Sequence, residues 1–131
     1  MFDWIKFVIL AYVLIDCGNE ESVRSGISRL YYGFFGISRR YLINVKHKYK
    51  LANNGVSVHY DVYKELRDSK DGTEREVAEI LNNLRSIRNK ADYHADEEYN
   101  KEFFENFLQD YKTDLVVAFE ALQYLKTHPN Y

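Results

Sequence analysis

The sequence has few of the residues that interrupt helices. Proline occurs once, at Pro129, and glycine only six times in 131 residues. An all-β domain needs frequent turn residues between short strands, so this scarcity argues against a sandwich or a barrel. The apolar share of 46% is enough to form one hydrophobic core. We therefore predict a single all-α domain over residues 1–131, since domains most often hold about 100–150 residues.

Cysteine is also scarce, because Cys17 is alone. One thiol excludes an internal disulfide and a cysteine-based zinc site, which favours a reducing, cytoplasmic environment. The four histidines are scattered along the chain, so we expect neither a metal nor another cofactor. The longest apolar run, Phe7 to Ile15, has nine residues, whereas a membrane span needs about 20. Asp3 and Asp16 flank it, so we predict a deeply buried central helix and no membrane association.

Apolar residues recur at helical spacing along most of the chain. The pattern predicts helices over residues 2–17, 19–45, 58–68, 73–92 and about 99–127, with a loop at 51–57 that contains Asn53, Asn54 and Gly55. Asn19 is the predicted cap of the second helix, and Thr73 has the capping-box spacing to Glu76. Four to five helices with short connections indicate an up-and-down bundle.

Two glycines, Gly33 and Gly36, interrupt the strong apolar pattern of the second helix. Each costs about 1 kcal/mol relative to alanine in a helix interior. We expect the close approach of a neighbouring helix or of a second subunit to compensate for this cost.

The net charge is only −2, but the charges are unevenly distributed. Residues 37–50 contain five lysines or arginines together with His47, and no acid. A basic face of this kind can bind phosphates even on a slightly acidic protein. The alternative is a solvated helix face. The candidate phosphate-contacting residues are Arg39, Arg40, Lys46 and Lys48.

Arg88 and His94 form the strongest candidate site. At about 100° per residue, Arg88 falls within about 50° of the centre of the apolar stripe of its helix. A guanidinium at that position needs an anion, a carbonyl partner or a route to water. His94 lies six positions further on, where the helix should end. A structural role is the alternative: Arg88 could pair with Glu65 or Glu98, and His94 could cap the helix.

Arginine and histidine suit the cleavage of RNA without a metal. A neutral imidazole can take the proton of the 2′-hydroxyl, and an imidazolium can protonate the leaving 5′-oxygen. Arginine can bind two phosphate oxygens and stabilise charge in the transition state. One such histidine per chain must serve both transfers, or a second must come from a partner subunit across a two-fold axis.

Two segments resemble the HEPN superfamily. Residues 88–94 (RNKADYH) look like that family's signature of Arg, four to six residues, and His. Residues 28–35 (SRLYYGFF) are similar to the Ser-Arg-x-Tyr-Tyr-x-x-Phe segment of its second helix. His59 also lies where a histidine often opens the family's third helix. The resemblance spans residues 4–125.

The resemblance implies a dimeric all-α bundle in which Arg and His of both subunits line one cleft. It implies metal-independent endoribonuclease activity, as in toxins and phage-defence effectors. Arg88 and His94 are then catalytic, Asn89 is the supporting polar residue, and Arg39, Arg40, Lys46 and Lys48 position the RNA. Many members pair with a nucleotidyltransferase antitoxin, and some are silenced by AMP on a Tyr two residues after the His. Asp96 occupies that position here, which leaves Tyr93 as the candidate for modification.

Two other functions remain open from the sequence. A related branch has Ala-Asp-Tyr without the histidine, so a non-catalytic module that docks a nucleotidyltransferase or senses a nucleotide is one alternative. The other is a structural dimerisation domain in which Arg88 belongs to a buried ion pair.

Overall fold

A computed structural model describes residues 1–53, 55 and 57–131 and contains no strand in these ranges. Its helices are α1 (Ile5–Asp16), α2 (Glu20–Asn44), α3 (Val58–Arg67), α4 (Gly72–Tyr93), α5 (Lys101–Asp110) and α6 (Lys112–Lys126), with a 3-10 turn at Tyr49–Ala52. The predicted all-α class and helical bundle are confirmed. No helix in the described ranges has the length and apolar character that a membrane crossing requires.

The longest helix, α2, organises the bundle. It packs against all five other helices, most extensively against α1 and α4. Asn19 caps it as predicted, since its side-chain oxygen accepts a hydrogen bond from the Ser22 amide at 2.9 Å. Glu20 and Glu21 add favourable charge to the first turn. The predicted apolar stripe of α2 is largely buried, so the helix presents apolar faces on several sides.

Three glycines allow α1 to pack closely against α2. A Cβ atom at Gly33 would lie 2.6 Å from Val8, and one at Gly36 would lie 2.2 Å from the Trp4 ring. The expected compensation is therefore confirmed, and the neighbouring helix is α1. Gly26 completes the contact, because a Cβ there would lie 2.8 Å from the Ala11 carbonyl oxygen.

The predicted deep burial of α1 is wrong. Val8 and Ala11 are the buried residues of α1, whereas Ile9 is 60% exposed and Val13 is 57% exposed. Within the described residues α1 packs closely against α2 alone, so one face is covered and the opposite apolar face is left in solvent. The apolar run Phe7 to Ile15 does not indicate how many other helices pack against α1.

Two other local predictions are wrong. Asp71, not Thr73, caps α4, because its carboxylate accepts from the amides of Thr73 at 2.8 Å and Glu74 at 3.1 Å. The predicted last helix is divided into α5 and α6 at Tyr111, whose ψ of 2° departs from the α-helical value. Phe104 of α5 is buried in the core, whereas Phe119 of α6 is exposed.

The connection before α3 is more ordered than a plain loop. Leu51 is buried within the 3-10 turn and anchors this segment to the core. Of the predicted loop residues, Asn54 and Val56 lie outside the described residues.

We expect Gly26→Ala to lower the free energy of unfolding, although alanine ordinarily stabilises a helix interior by about 1 kcal/mol. The new methyl group would meet the backbone oxygen of Ala11, and overpacking of this kind costs roughly 1–3 kcal/mol. Urea unfolding measures the change. Gly72→Ala is the matched control, because its Cβ would meet nothing closer than 3.6 Å. Equal stability of the two variants would contradict the proposed packing.

Candidate functional site

The carboxyl end of α4 is closed by Arg24 of α2. One guanidinium nitrogen donates to the carbonyl oxygens of Lys90 at 3.3 Å, Ala91 at 3.0 Å and His94 at 2.8 Å, and another donates to the Tyr99 carbonyl. The last carbonyls of a helix lack partners within the helix, and a cation is favourable beside them. Arg24 therefore fixes both the end of α4 and the turn that carries His94.

Sequence reasoning missed Arg24. Its carbonyl partners lie 66–75 residues away along the chain, and helical periodicity gives no information on such distant pairs. The guanidinium is itself positioned by Glu20, at 3.5 Å, and by the ring of Phe104, whose centroid is 4.8 Å from its carbon.

Arg88 is buried between α4 and α2, with an exposed fraction of 6%. Its guanidinium carbon lies 5.0 Å from the ring centroid of Tyr31, 5.3 Å from that of Tyr32 and 5.9 Å from that of Tyr93. Aromatic faces attract cations, which partly replaces the lost hydration. The guanidinium therefore lies among three tyrosine rings.

The acidic partner of Arg88 is Asp92, one turn further along α4, at 3.6 Å. Asp92 also accepts a hydrogen bond from the Ser28 hydroxyl at 3.2 Å. The two acids considered from the sequence do not take this role: Glu65 pairs with Lys48 and Lys50, and Glu98 is exposed.

His94 lies at the end of α4, as predicted, with its side chain 47% exposed. Its Nδ1 is 3.8 Å from Asp96, and its ring packs edge-on against Tyr99 at 5.4 Å. In the described part of the chain, the His94 ring and the Arg88 guanidinium have no common partner. The structure therefore brings the two residues to one end of α4 but leaves their side chains in separate contacts.

Two further predicted residues flank this pair. Asn89 is partly buried, and the described residues give its side chain no hydrogen bond. Tyr93 is 74% exposed, so its hydroxyl is accessible to a modifying enzyme.

His59 of α3 joins the tyrosine cluster around Arg88. Its Nδ1 is 2.6 Å from the Tyr31 hydroxyl, and its ring stacks on Phe35 with centroids 4.3 Å apart. Burial, followed by the nearby charges of Arg85, Arg88 and Arg39, lowers the pKa of His59 to about 4. Burial also raises the pKa of Tyr31 to about 12. A neutral imidazole and a protonated tyrosine therefore share this hydrogen bond, and the tautomer of His59 decides which of the two donates.

A cavity of about 690 Å³ adjoins this cluster. Aromatic side chains form much of its wall, and arginines lie among its other lining residues; the lining includes Trp4, Tyr32, Phe35, Arg39, Arg40 and His59. Tyr32 thus contacts both the cavity and Arg88. Predominantly apolar cavities with a few polar groups are typical of sites for small organic ligands.

The basic stretch is engaged in intramolecular contacts. Arg39 donates to the carbonyls of Leu51 at 2.6 Å and Ala52 at 2.9 Å, so it fastens the 3-10 turn. Arg40 donates to the Tyr131 carbonyl at 2.9 Å and stacks on its ring. These contacts hold Arg39 and Arg40 beside the cavity, so the two arginines do not form a row along one exposed helix face.

The two lysines predicted to contact RNA lie further along the chain and bind acids. Lys46 is 3.2 Å from the buried carboxylate of Glu74, and Lys48 is 3.3 Å from Glu65. Each ion pair reduces the charge available to a phosphate strand. Within the described ranges, no group of three or more His, Cys, Asp or Glu side chains is suited to hold a metal ion.

The chain matches no model of a known protein family, no curated protein and no solved structure. The resemblance to HEPN proteins therefore rests on residues 28–35 and 88–94 of the sequence. The structure shows that these two segments lie on α2 and at the end of α4.

The lowered pKa of His59 predicts a loss of stability in mild acid. Between pH 6.5 and about 4 the unfolded chain binds a proton at this residue that the folded chain does not. The free energy of unfolding therefore falls as the pH is lowered through this window. Urea unfolding at about pH 7 and about pH 5 should show a smaller acid-induced loss in His59→Gln than in the wild type.

His128→Gln is the matched control, because His128 is exposed. An acid-induced loss that is the same in His59→Gln and in the wild type would show that His59 is not the group responsible.

Proposed function

We propose that this protein is a metal-independent endoribonuclease of the HEPN type, acting as a toxin or phage-defence effector. The supporting observation is that the two HEPN-like segments, far apart in the sequence, are in contact. Tyr31 and Tyr32 of the first segment lie against Arg88 of the second. Ser28 of the first donates to Asp92 of the second. If the similarity of each segment to HEPN proteins were accidental, there would be no reason for the two segments to contact each other in the fold.

In this proposal Arg88 binds a non-bridging phosphate oxygen and stabilises the charge that develops there. The His94 imidazole takes the proton of the 2′-hydroxyl, and the 2′-oxygen attacks the phosphorus. The bond to the 5′-oxygen breaks, and an imidazolium returns a proton to that oxygen. The products are a 2′,3′-cyclic phosphate and a 5′-hydroxyl. Asn89, next to Arg88, is the supporting polar residue.

A homodimer is part of the proposal, because one chain supplies one His94. The unpartnered apolar face of α1, with Ile9, Tyr12 and Val13 exposed, supports self-association. Contiguous exposed apolar residues of this kind mark interaction surfaces in soluble proteins. A nucleotidyltransferase antitoxin remains the proposed protein partner, and the exposed Tyr93 is the residue on which it would place AMP.

One observation favours the second candidate, a non-catalytic module that docks a nucleotidyltransferase or senses a nucleotide. The Arg88 guanidinium is covered by tyrosine rings and paired with Asp92 within one chain. An arginine in this state already has an anion and aromatic faces from its own chain, although its Nε has no hydrogen-bond partner among the described residues. This candidate predicts complex formation without RNA cleavage.

The wild type should cleave single-stranded RNA in the presence of EDTA, because no step of the proposed reaction uses a metal. His94→Ala should lower kcat/KM by roughly 10²–10⁴-fold, the usual contribution of a general acid–base group. Arg88→Lys, which keeps the charge but loses the planar geometry, should also be impaired. A labelled oligonucleotide and a gel assay measure both. His128→Ala serves as the control; undiminished cleavage by His94→Ala would exclude His94 from the chemistry.

A composite dimer site predicts complementation. Co-expressed Arg88→Ala and His94→Ala chains form heterodimers that retain one intact arginine and one intact histidine. RNA cleavage by the purified mixture should therefore clearly exceed that of either variant alone. An inactive mixture, from a wild type that does cleave, would contradict a site built from one Arg88 and one His94 of different subunits.

A further inference from the structure

The cavity of about 690 Å³ lies where the starts of α1 and α3 meet the carboxyl-terminal half of α2. Trp4, Gly36 and His59 line it from these three segments. A Cβ atom at Gly36 would lie 2.2 Å from the Trp4 ring, so the indole occupies its position only because residue 36 has no side chain. The His59 ring stacks on that of Phe35, with centroids 4.3 Å apart. Aromatic side chains from three segments therefore surround one space, in which a flat ring can stack on them.

The charged side chains that line this cavity are all positive. Arg39 and Arg40 line it, and within the described residues no Asp or Glu side chain does so. Asp3, the acid next to Trp4 in the sequence, pairs with Lys126 at 3.2 Å and with neither of these arginines. An anion in the cavity would therefore be attracted by two guanidinium groups, and no carboxylate of the described lining would repel it.

Backbone oxygens hold both guanidinium groups in place. The Nε of Arg39 donates to the Leu51 carbonyl at 2.6 Å, and its Nη2 donates to that of Ala52 at 2.9 Å. The Nε of Arg40 donates to the Tyr131 carbonyl at 2.9 Å. A guanidinium has five N–H donors, so among the described residues these bonds leave terminal donors of both arginines for a ligand. Because the fold already fixes the two groups, an anion that binds them pays little for ordering them.

The size and the lining of the cavity together indicate the class of ligand. Sites for small organic ligands commonly have volumes of roughly 300–1,000 Å³, a mostly apolar wall and a few polar groups. A flat ring would bury apolar surface against side chains such as Tyr32 and Phe35. A guanidinium presents parallel donors that match two oxygens of one carboxylate or phosphate. A molecule with a ring and an anionic group uses both features of the lining.

We propose that this cavity binds a small aromatic acid, a flat ring system with one carboxylate or phosphate group. Its ring lies between the aromatic side chains of the wall, and its anionic group pairs with Arg39 and Arg40. The site is distinct from the proposed nuclease site, because the described lining contains neither Arg88 nor His94. The inference therefore goes beyond the proposed function and does not depend on RNA cleavage.

The protein contains a single tryptophan, Trp4, and this residue lines the cavity, so tryptophan fluorescence reports the entry of a ligand. The probes are para-ethylbenzoate, para-ethylphenyl phosphate and the neutral para-ethylbenzamide. At least one of the two acids should give a saturable change with a Kd below about 1 mM. The amide should bind roughly tenfold more weakly, the loss expected for hydrogen bonds to a charged group. Cyclohexanecarboxylate, which has the charge but no flat ring, should bind a few-fold more weakly than the acids.

The variants test the preference for the acid over the amide, which a merely structural change would not alter. Arg39→Gln should raise the Kd of the acid roughly tenfold and leave that of the amide nearly unchanged. Arg40→Gln should do the same, and it keeps the contacts of Arg39 to the 3-10 turn, so it decides the question if Arg39→Gln is poorly folded. Arg29→Gln is the matched control, because Arg29 is an exposed arginine of α2 outside the cavity. Circular dichroism and thermal unfolding establish which variants are folded.

The proposal is overturned if neither acid binds the folded wild type with a Kd below about 1 mM. It is also overturned if the amide or cyclohexanecarboxylate binds as tightly as the acids, or if Arg29→Gln weakens acid binding as much as the folded cavity variants do. Tighter binding of the carboxylate or of the phosphate identifies the anionic group that the arginines prefer. These outcomes do not depend on whether the protein cleaves RNA, so the two proposals fail separately.

Discussion

The burial of Arg88 is the constraint on which the arrangement of this end of the bundle depends. A guanidinium cannot lose its charge in a protein, so a buried one must be solvated by other protein groups. α2 supplies two tyrosine rings and, through Ser28, a hydrogen bond that orients Asp92. The segment 28–35 therefore has a physical reason to be polar and aromatic where a plain core helix would be aliphatic.

α2 meets this demand because its two sides differ. One side is nearly free of side chains at Gly26, Gly33 and Gly36, which lets the backbone of α1 approach. Another side presents Tyr31 and Tyr32 to Arg88. The glycines and tyrosines lie within one stretch of α2, residues 26–36, so the α1 contact and the surroundings of Arg88 are supported by the same helix. A bend of α2 at the glycines would therefore also move Tyr31 and Tyr32, because they belong to the same helix.

Features set by local interactions could be predicted from the sequence. The cap at Asn19 and the apolar stripe of α2 depend on residues within a few positions of each other. The cap of α4 was predicted two residues late, because Asp71 and Thr73 are both good caps and the carboxylate accepts two amide hydrogens. Local patterns narrow such choices but do not decide them.

Features that depend on distant residues could not be predicted. Nothing near Arg24 indicates that it binds the carbonyls at the end of α4. The basic residues 39–48 appeared unpaired in the sequence because their partners, such as Glu74 for Lys46, lie in other helices. The position of Arg88 near the apolar stripe indicated that it lies away from the solvent face, but it gave no sign of the tyrosine rings that cover it.

The same charge argument separates the two arginines of α4 from the arginines of the basic stretch. Arg39 and Arg40 are satisfied by backbone carbonyls, and they contribute to holding the fold. Arg24 is satisfied in the same way. Arg85 and Arg88 retain unpaired Nε donors beside a neutral histidine. The buried arginines of α4 thus differ from those of the basic stretch in hydrogen-bond satisfaction, a difference that the density of positive charge along the sequence does not indicate.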